Sequence, residues 1–116
     1  MINIGDWIKK WSFLHPNKRA LIFEDRPFTY QEVNLRTNQL CHFLLELGTQ
    51  KGDRVSVLLY NCHQYIEIFF ALSKIGAILV PLNWRLSGPE LEFIIKDSGS
   101  IILIFEPEFE EVVNSI

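Results

Sequence analysis

Arg85 is the charged side chain in this 116-residue sequence that stands out for chemistry. It follows Pro81-Leu82-Asn83-Trp84, just past a short apolar run at 78–81 that reads as a strand. An arginine at such an end can present its planar fork to a phosphate. On the residues alone, an ordinary surface arginine stacked on Trp84, with Asn83 as a turn-former, is the favoured reading. The other reactive side chains form no constellation. His15, His42 and His63 are not paired at metal-ligand spacing, and His42 beside Cys41 would need two further ligands to hold zinc. Cys62 and His63 sit at another predicted strand end. Adjacent residues rarely point at each other, so a turn is the reading there. The sequence has no G-x-x-x-x-G-K-[ST] loop, no G-x-G-x-x-G and no G-x-S-x-G. Its six glycines are scattered where turns and helix stops need them. From the residues alone, no catalytic and no metal-binding residue is assigned.

The elements that would position these residues are legible in turn. Ile4, Trp7, Ile8, Trp11 and Leu14 recur at helical spacing, predicting an amphipathic helix over 3–14 that ends before Pro16. Residues 20–23 and 27–29 around Glu24-Asp25-Arg26 predict a short hairpin. Thr29-Tyr30-Gln31-Glu32 is a capping box opening a helix of about 18 residues. Its inner face is Val33, Thr37, Leu40, Cys41 and Leu44, and Gly48 closes it. Residues 54–59 form an apolar strand of the kind covered by helices on both faces. A helix over 65–75 follows, with Ile66, Phe69, Phe70 and Ser73 as its face and Gly76 as its stop, and then a strand over 78–81. Ser87-Gly88-Pro89-Glu90 is a second capping box. It opens a helix to Asp97 with Leu91, Ile94 and Ile95 inward, stopped by Gly99. A buried strand over 101–105 and a short helix over 108–113 complete the chain. The alternation after Arg54, strand-helix-strand-helix-strand, predicts a mostly parallel sheet in an α/β, partial three-layer fold. The strands 55–59 and 101–105 carry few charges and read as built to be flanked on both sides.

Composition narrows the partners. Hydrophobic residues make up 48% of the chain, including nine Phe, three Trp and three Tyr, which supports a packed core and excludes a disordered chain. The net charge is -3, and Lys9-Lys10 and Lys18-Arg19 are too short to make a nucleic-acid stripe. The four acids from Glu106 to Glu111 read as a solvated face. No apolar run approaches the roughly 20 residues that span a bilayer, and the first ten residues lack a signal-peptide core. Two cysteines without CxxC spacing fit buried, reduced thiols in the cytoplasm.

Three stretches resemble the opening of the AMP-forming acyl-CoA synthetases of the adenylate-forming superfamily. They are Ala20-Leu-Ile-Phe with Phe28-Thr-Tyr-Gln-Glu-Val, Lys51-Gly-Asp-Arg-Val-Ser-Val-Leu-Leu-Tyr-Asn61, and Ala71-Leu-Ser-Lys-Ile-Gly-Ala-Ile-Leu-Val-Pro-Leu-Asn-Trp-Arg-Leu86. They lead into Pro89-Glu-Leu-Glu and Asp97-Ser-Gly, so the likeness runs from Ile4 to about Phe105. The wording from Asn83 to Leu86 is most similar to fatty-acyl and aryl-acyl CoA ligases.

The resemblance implies that residues 1–116 are the N-terminal portion of a large AMP-binding domain, without the rest of that domain or the C-terminal lid. A complete enzyme would use ATP, Mg²⁺, CoA and a carboxylic acid, and Arg85 would contact the CoA 3′-phosphate. The family's phosphate-binding motifs lie outside these residues, so the chain alone is expected to bind no cofactor and to be inactive. Its partner would be the remainder of the synthetase or a protein covering the sheet edge. A non-catalytic α/β module that binds through that edge is the alternative, and a flavodoxin-like nucleotide binder a weaker third.

Overall fold

The computed structural model describes residues 4–23, 25–60 and 63–116. Helix α1 (Ile4–Leu14) leads into an antiparallel hairpin, β1 (Arg19–Phe23) and β2 (Arg26–Thr29). Helix α2 (Tyr30–Glu46) follows directly, then β3 (Arg54–Leu58), α3 (His63–Ile75), β4 (Ile78–Pro81), α4 (Gly88–Ser98) and β5 (Ile102–Phe105). The chain closes with a 3₁₀ turn, Pro107–Phe109, and α5 (Glu110–Asn114). The expected helix over 108–113 is therefore two pieces, because Pro107 favours a tight first turn.

Both capping boxes form. The Thr29 hydroxyl accepts the Glu32 N–H at 3.1 Å, and the Glu32 carboxylate accepts the Thr29 N–H at 3.3 Å. Ser87 and Glu90 repeat the arrangement on α4. Side-chain and then backbone hydrogen bonds from Ser87 hold the Glu90 carboxyl below its usual range. Helix α4 stops at Gly99, whose φ of 70° is in the left-handed region that glycine enters freely. Replacing Thr29 with alanine removes the acceptor for an otherwise orphaned helix N–H. It should cost about 1 kcal/mol of stability, read as a lowered urea midpoint.

The sheet is parallel, in the order β4-β3-β5. The β3-α3-β4 crossover moves outward from β3, whereas β4-α4-β5 must pass back over β3. Right-handed connections in opposite directions place α3 and α4 on opposite faces of the sheet. Side chains of β3 alternate accordingly. Val55, Val57 and Leu59 pack beneath α2 and α3, against Cys41, Leu44, Ile68, Ala71 and Leu72. Leu58 points the other way, onto Leu82, Leu91 and Phe109. Ser56, on that second side, is fully buried and its hydroxyl donates to the Ser100 hydroxyl at 2.6 Å. A third small core, Ile8, Phe28 and Val33 with Phe70 against it, fastens α1 and the hairpin outside α2 and α3.

Three expectations need correction. Among the described residues, β3 is the only strand buried along nearly its whole length, and it is already flanked on both sides. β4 and β5 are the edges, half-buried and partly open, so the strand over 101–105 is not a buried one. The inner face of α3 is Glu67, Ile68, Ala71 and Leu72 rather than Ile66, Phe69, Phe70 and Ser73. The helix is apolar nearly all round because two layers use it: Ile68 and Ala71 meet the sheet, while Phe70 meets α1. Glu106 does not belong to a solvated acidic face, since its carboxylate binds a backbone N–H, as described below. The predicted first residue of α1, residue 3, lies outside the described residues.

Candidate functional site

The carboxyl ends of the three parallel strands converge on one edge of the sheet, where ligands of open α/β sheets gather. From β3 comes Tyr60, from β4 the segment Leu82 to Leu86, and from β5 Glu106. Leu82 N–H donates to the Val57 carbonyl at 2.9 Å, which carries the β3–β4 pairing one residue past the strand. The chain then turns: Asn83 Oδ1 accepts the Arg85 N–H at 3.0 Å, and the Asn83 carbonyl accepts the Leu86 N–H at 3.1 Å. Asn83 is thus the turn-former its residue type suggests.

The turn lifts Trp84 and Arg85 to the surface as a ledge. The Arg85 guanidinium lies 4.7 Å from the Trp84 ring centroid. The Tyr60 ring meets Trp84 edge-on at 4.9 Å and Phe109 at 5.0 Å. The ordinary stacked arginine and the phosphate-facing one are therefore compatible, because the stack fixes the plane of the fork and leaves its edge exposed. A depression of about 450 Å³ beside the ledge is lined by Trp84, Leu86, Phe109 and the acids Glu108 and Glu111.

Glu106 is the site residue that sequence reading missed. Its Oε1 accepts the Tyr60 N–H at 2.6 Å, which ties the end of β5 to the end of β3. An acid placed between an apolar strand and a proline was the available signal. On the α2–α3 side of the same edge, a cavity of about 430 Å³ is lined mainly by Leu59, Gln64, Glu67, Ile104, Phe105 and Glu106. Glu67 is 6% exposed and forms an ion pair with Arg36 of α2.

His15 and His42 are not brought together. His15 stacks on Trp11 at 5.3 Å, and His42 is exposed on α2. The Cys62–His63 turn and Asn61 lie outside the described residues as far as Cys62, Asn61 and the His63 side chain are concerned. Cys41 is buried, and its thiol donates to the Ala71 carbonyl at 3.3 Å. Burial pushes that thiol up, an effect only partly opposed by the nearby Lys74 charge. Lys74 is lowered in turn, chiefly by burial, while its ammonium donates to Asn34 at 2.9 Å and Asn38 at 2.6 Å. Among the described residues, no group of three or more His, Cys, Asp or Glu is arranged to hold a metal ion.

Comparison with known proteins completes the picture. The family model described as AMP-binding enzyme matches residues 8–115. The fatty acid–[acyl-carrier-protein] ligase ScoC of Streptomyces coeruleorubidus is 40% identical over 101 residues, 87% of this chain and 20% of that protein. The long-chain-fatty-acid–CoA ligase FadD13 of Mycobacterium tuberculosis is 35% identical, across 100% of this chain and 24% of its own length. The crystal structure of the N-terminal domain of FACL13, also from Mycobacterium tuberculosis, superposes with a TM-score of 0.94 at 35% identity. It covers 100% of this chain and 30% of that one. The chain thus spans 20% and 24% of the two curated relatives. With its order of elements, its parallel sheet and nearly its full length shared, this chain belongs to the family of AMP-binding enzymes and corresponds to an N-terminal segment of its acyl-CoA ligases.

Proposed function

We propose that the chain serves as the N-terminal portion of an ATP-dependent, AMP-forming acyl-CoA synthetase. In the complete enzyme a carboxylate oxygen attacks the α-phosphorus of ATP, pyrophosphate leaves, and the acyl-adenylate forms. The CoA thiol then attacks the acyl carbon, AMP leaves, and a thioester remains. The observation that carries this reading is the Trp84–Arg85 ledge at the carboxyl edge of the sheet, in a chain related along its length to acid–thiol ligases. Arg85 is assigned to the 3′-phosphate of CoA, with Trp84 holding its guanidinium plane. The described residues offer neither a phosphate loop nor a cluster of metal ligands, so ATP and Mg²⁺ are assigned to other parts of the enzyme. The chain alone is inactive in this reading, and the buried Cys41 thiol suits a reducing cytoplasm.

A second reading is favoured by one edge of the sheet. Beside β5, Leu40 and Phe43 of α2, Leu47 at its C-cap and Ile102 to Phe105 line an apolar groove of about 280 Å³. Phe43 is 57% exposed and Leu47 55%. Open strand edges recruit partners. The partner here is the remainder of the synthetase or, in a non-catalytic module, another protein.

Pyrophosphate release from ATP, with a panel of fatty and aryl acids plus CoA, tests the proposal. It is run on the 116 residues and on the longest product of the same locus. Activity in the longer product alone is expected. Activity in the 116 residues would overturn their scaffold role, and silence from both would favour the binding module.

A further inference from the structure

The amino edge of the sheet, opposite the Trp84–Arg85 ledge, holds a second set of cations. There the loop over 49–52 is tied to the C-terminal turns of both α2 and α3. Thr49 N–H donates to the Leu44 carbonyl at 3.1 Å, and Gly52 N–H to the Gly76 carbonyl at 2.9 Å. Gly76 has a φ of 83°, and a Cβ there would stand 3.0 Å from Lys51 Cγ. The Lys51 stem therefore lies across this glycine, which keeps the lysine beside the end of α3 that carries Lys74.

A cavity of about 440 Å³ opens at this junction. Lys51, Lys74 and His42 line it, and no Asp or Glu does, although the chain as a whole is -3. Cys41, Leu45 and Ile75 give it an apolar wall. The Lys74 ammonium donates to the amide oxygens of Asn34 and Asn38, neither of which brings a charge. Burial lowers its pKa, Lys9 of α1 adds to that, and Cys41 and Asp6 oppose the shift without cancelling it. One use of the two lysines is to offset the carbonyl ends of two helices, each equivalent to about half a negative charge. Thr49 is not explained that way. It lines the same cavity and is 3% exposed, yet its hydroxyl has no hydrogen-bond partner. Ammonium groups only donate, so a buried hydroxyl beside them is itself a donor left for an incoming acceptor.

We infer that this junction binds a small amphiphilic anion, with its carboxylate or phosphate head at Lys51, Lys74 and the Thr49 hydroxyl and its short apolar body on Cys41, Leu45 and Ile75. The head supplies the acceptor that Thr49 lacks and the charge that Asn34 and Asn38 cannot. Lys51 is exposed, so binding is reversible and weakens as salt rises. The inference uses nothing of the Arg85 ledge and does not depend on acid activation.

Hexyl phosphate, hexanoate and hexanol, titrated into the isotope-labelled 116-residue chain with amide shifts followed at residues 49–51, test it. Both anions should move these amides, and hexanol should not. The tighter of the two anions identifies the head as a phosphate ester or a carboxylate. Lys51→Gln should weaken binding roughly tenfold. Thr49→Val should weaken it about fivefold without loss of stability, because the hydroxyl it removes has no partner in the fold. Lys96→Gln should leave binding unchanged, since Lys96 pairs with Glu92 on α4, across the sheet. In the longest product of the same locus, hexyl phosphate should shield Lys51 but not Lys96 from acetic anhydride, read by mass spectrometry. Absence of both the shifts and the shielding would overturn the inference. So would equal binding of hexanol, or unchanged affinity in Lys51→Gln and Thr49→Val. Equal binding of inorganic phosphate and hexyl phosphate would overturn the apolar half of the assignment.

Discussion

Replacing Leu58 with alanine is expected to lower the unfolding free energy by about 3 kcal/mol, within the roughly 2–5 kcal/mol range of such truncations. Leu58 is 1% exposed at the end of the central strand, and packs on Leu82, Leu91 and Phe109. These three come from the segment after β4, from α4 and from the turn after β5, so one side chain joins three elements that are distant in sequence. Collapse into the vacated space is limited because β3 is held on both sides by its hydrogen-bonded neighbours. The same change at Leu103 should cost clearly less, since β5 is an edge strand and its residues are half-buried. Urea unfolding checks both variants, with the midpoint falling further for Leu58→Ala and the slope unchanged. Equal midpoints for the two would show that the edge of the sheet is as tightly packed as its centre. A whole domain commonly has about 5–15 kcal/mol of stability, so this single truncation removes a large share.

The contrast between Leu58 and Leu103 also marks where the sequence stopped being legible. Strand positions could be read because apolar runs bounded by glycine and proline are local signals; 78–81 matches β4. The helix starts could be read because Thr29 and Ser87 each stand three residues before a glutamate. Strand order is not a local property. Val55, Ile78 and Ile102 begin similar apolar runs, and only the return of β4-α4-β5 over β3 makes the first strand central and the other two edges. The face of α3 failed for a related reason. Tyr65, Ile66, Ile68, Phe69, Phe70, Ala71 and Leu72 offer apolar groups in every direction, so periodicity has no unique solution until the sheet and α1 are both in place.

At the site, Arg85 could be located because Pro81 and Asn83 end the strand and turn the chain within a few residues. Its stack on Trp84 is one of the two readings that the residue types allow. What supports the stack could not be anticipated, because Tyr60 arrives from β3, and Glu106 of the β5 end holds the Tyr60 N–H. The ledge is thus built from all three strand ends, although only one of them carries the charge.

That construction leads to the second large effect. In the complete enzyme, Arg85→Ala is expected to raise the KM for CoA by roughly ten- to hundredfold, as removal of a charge-assisted contact to a phosphate should. In the proposed reading the contact is remote from both reacting centres and is made equally in ground and transition states. It should therefore appear in KM, with kcat for thioester formation and acid-dependent pyrophosphate exchange both near the parent values. Arg85→Lys should recover only part of the loss, because an ammonium keeps the charge but not the planar fork that stacks on Trp84 at 4.7 Å. CoA lacking its 3′-phosphate separates this role from a structural one. The parent enzyme should lose affinity for that analogue about as much as Arg85→Ala loses for CoA itself. The variant should no longer distinguish the two, so the two changes are strongly non-additive. A variant that still prefers CoA over the analogue would remove Arg85 from the phosphate contact and leave it as the surface half of the Trp84 stack. Glu108 and Glu111 line the depression beside the ledge, and as carboxylates they would oppose a phosphate held by Arg85. Neutralising both should lower the KM for CoA in the parent enzyme and do so less once Arg85 is gone, because the acids then have no bound phosphate to repel.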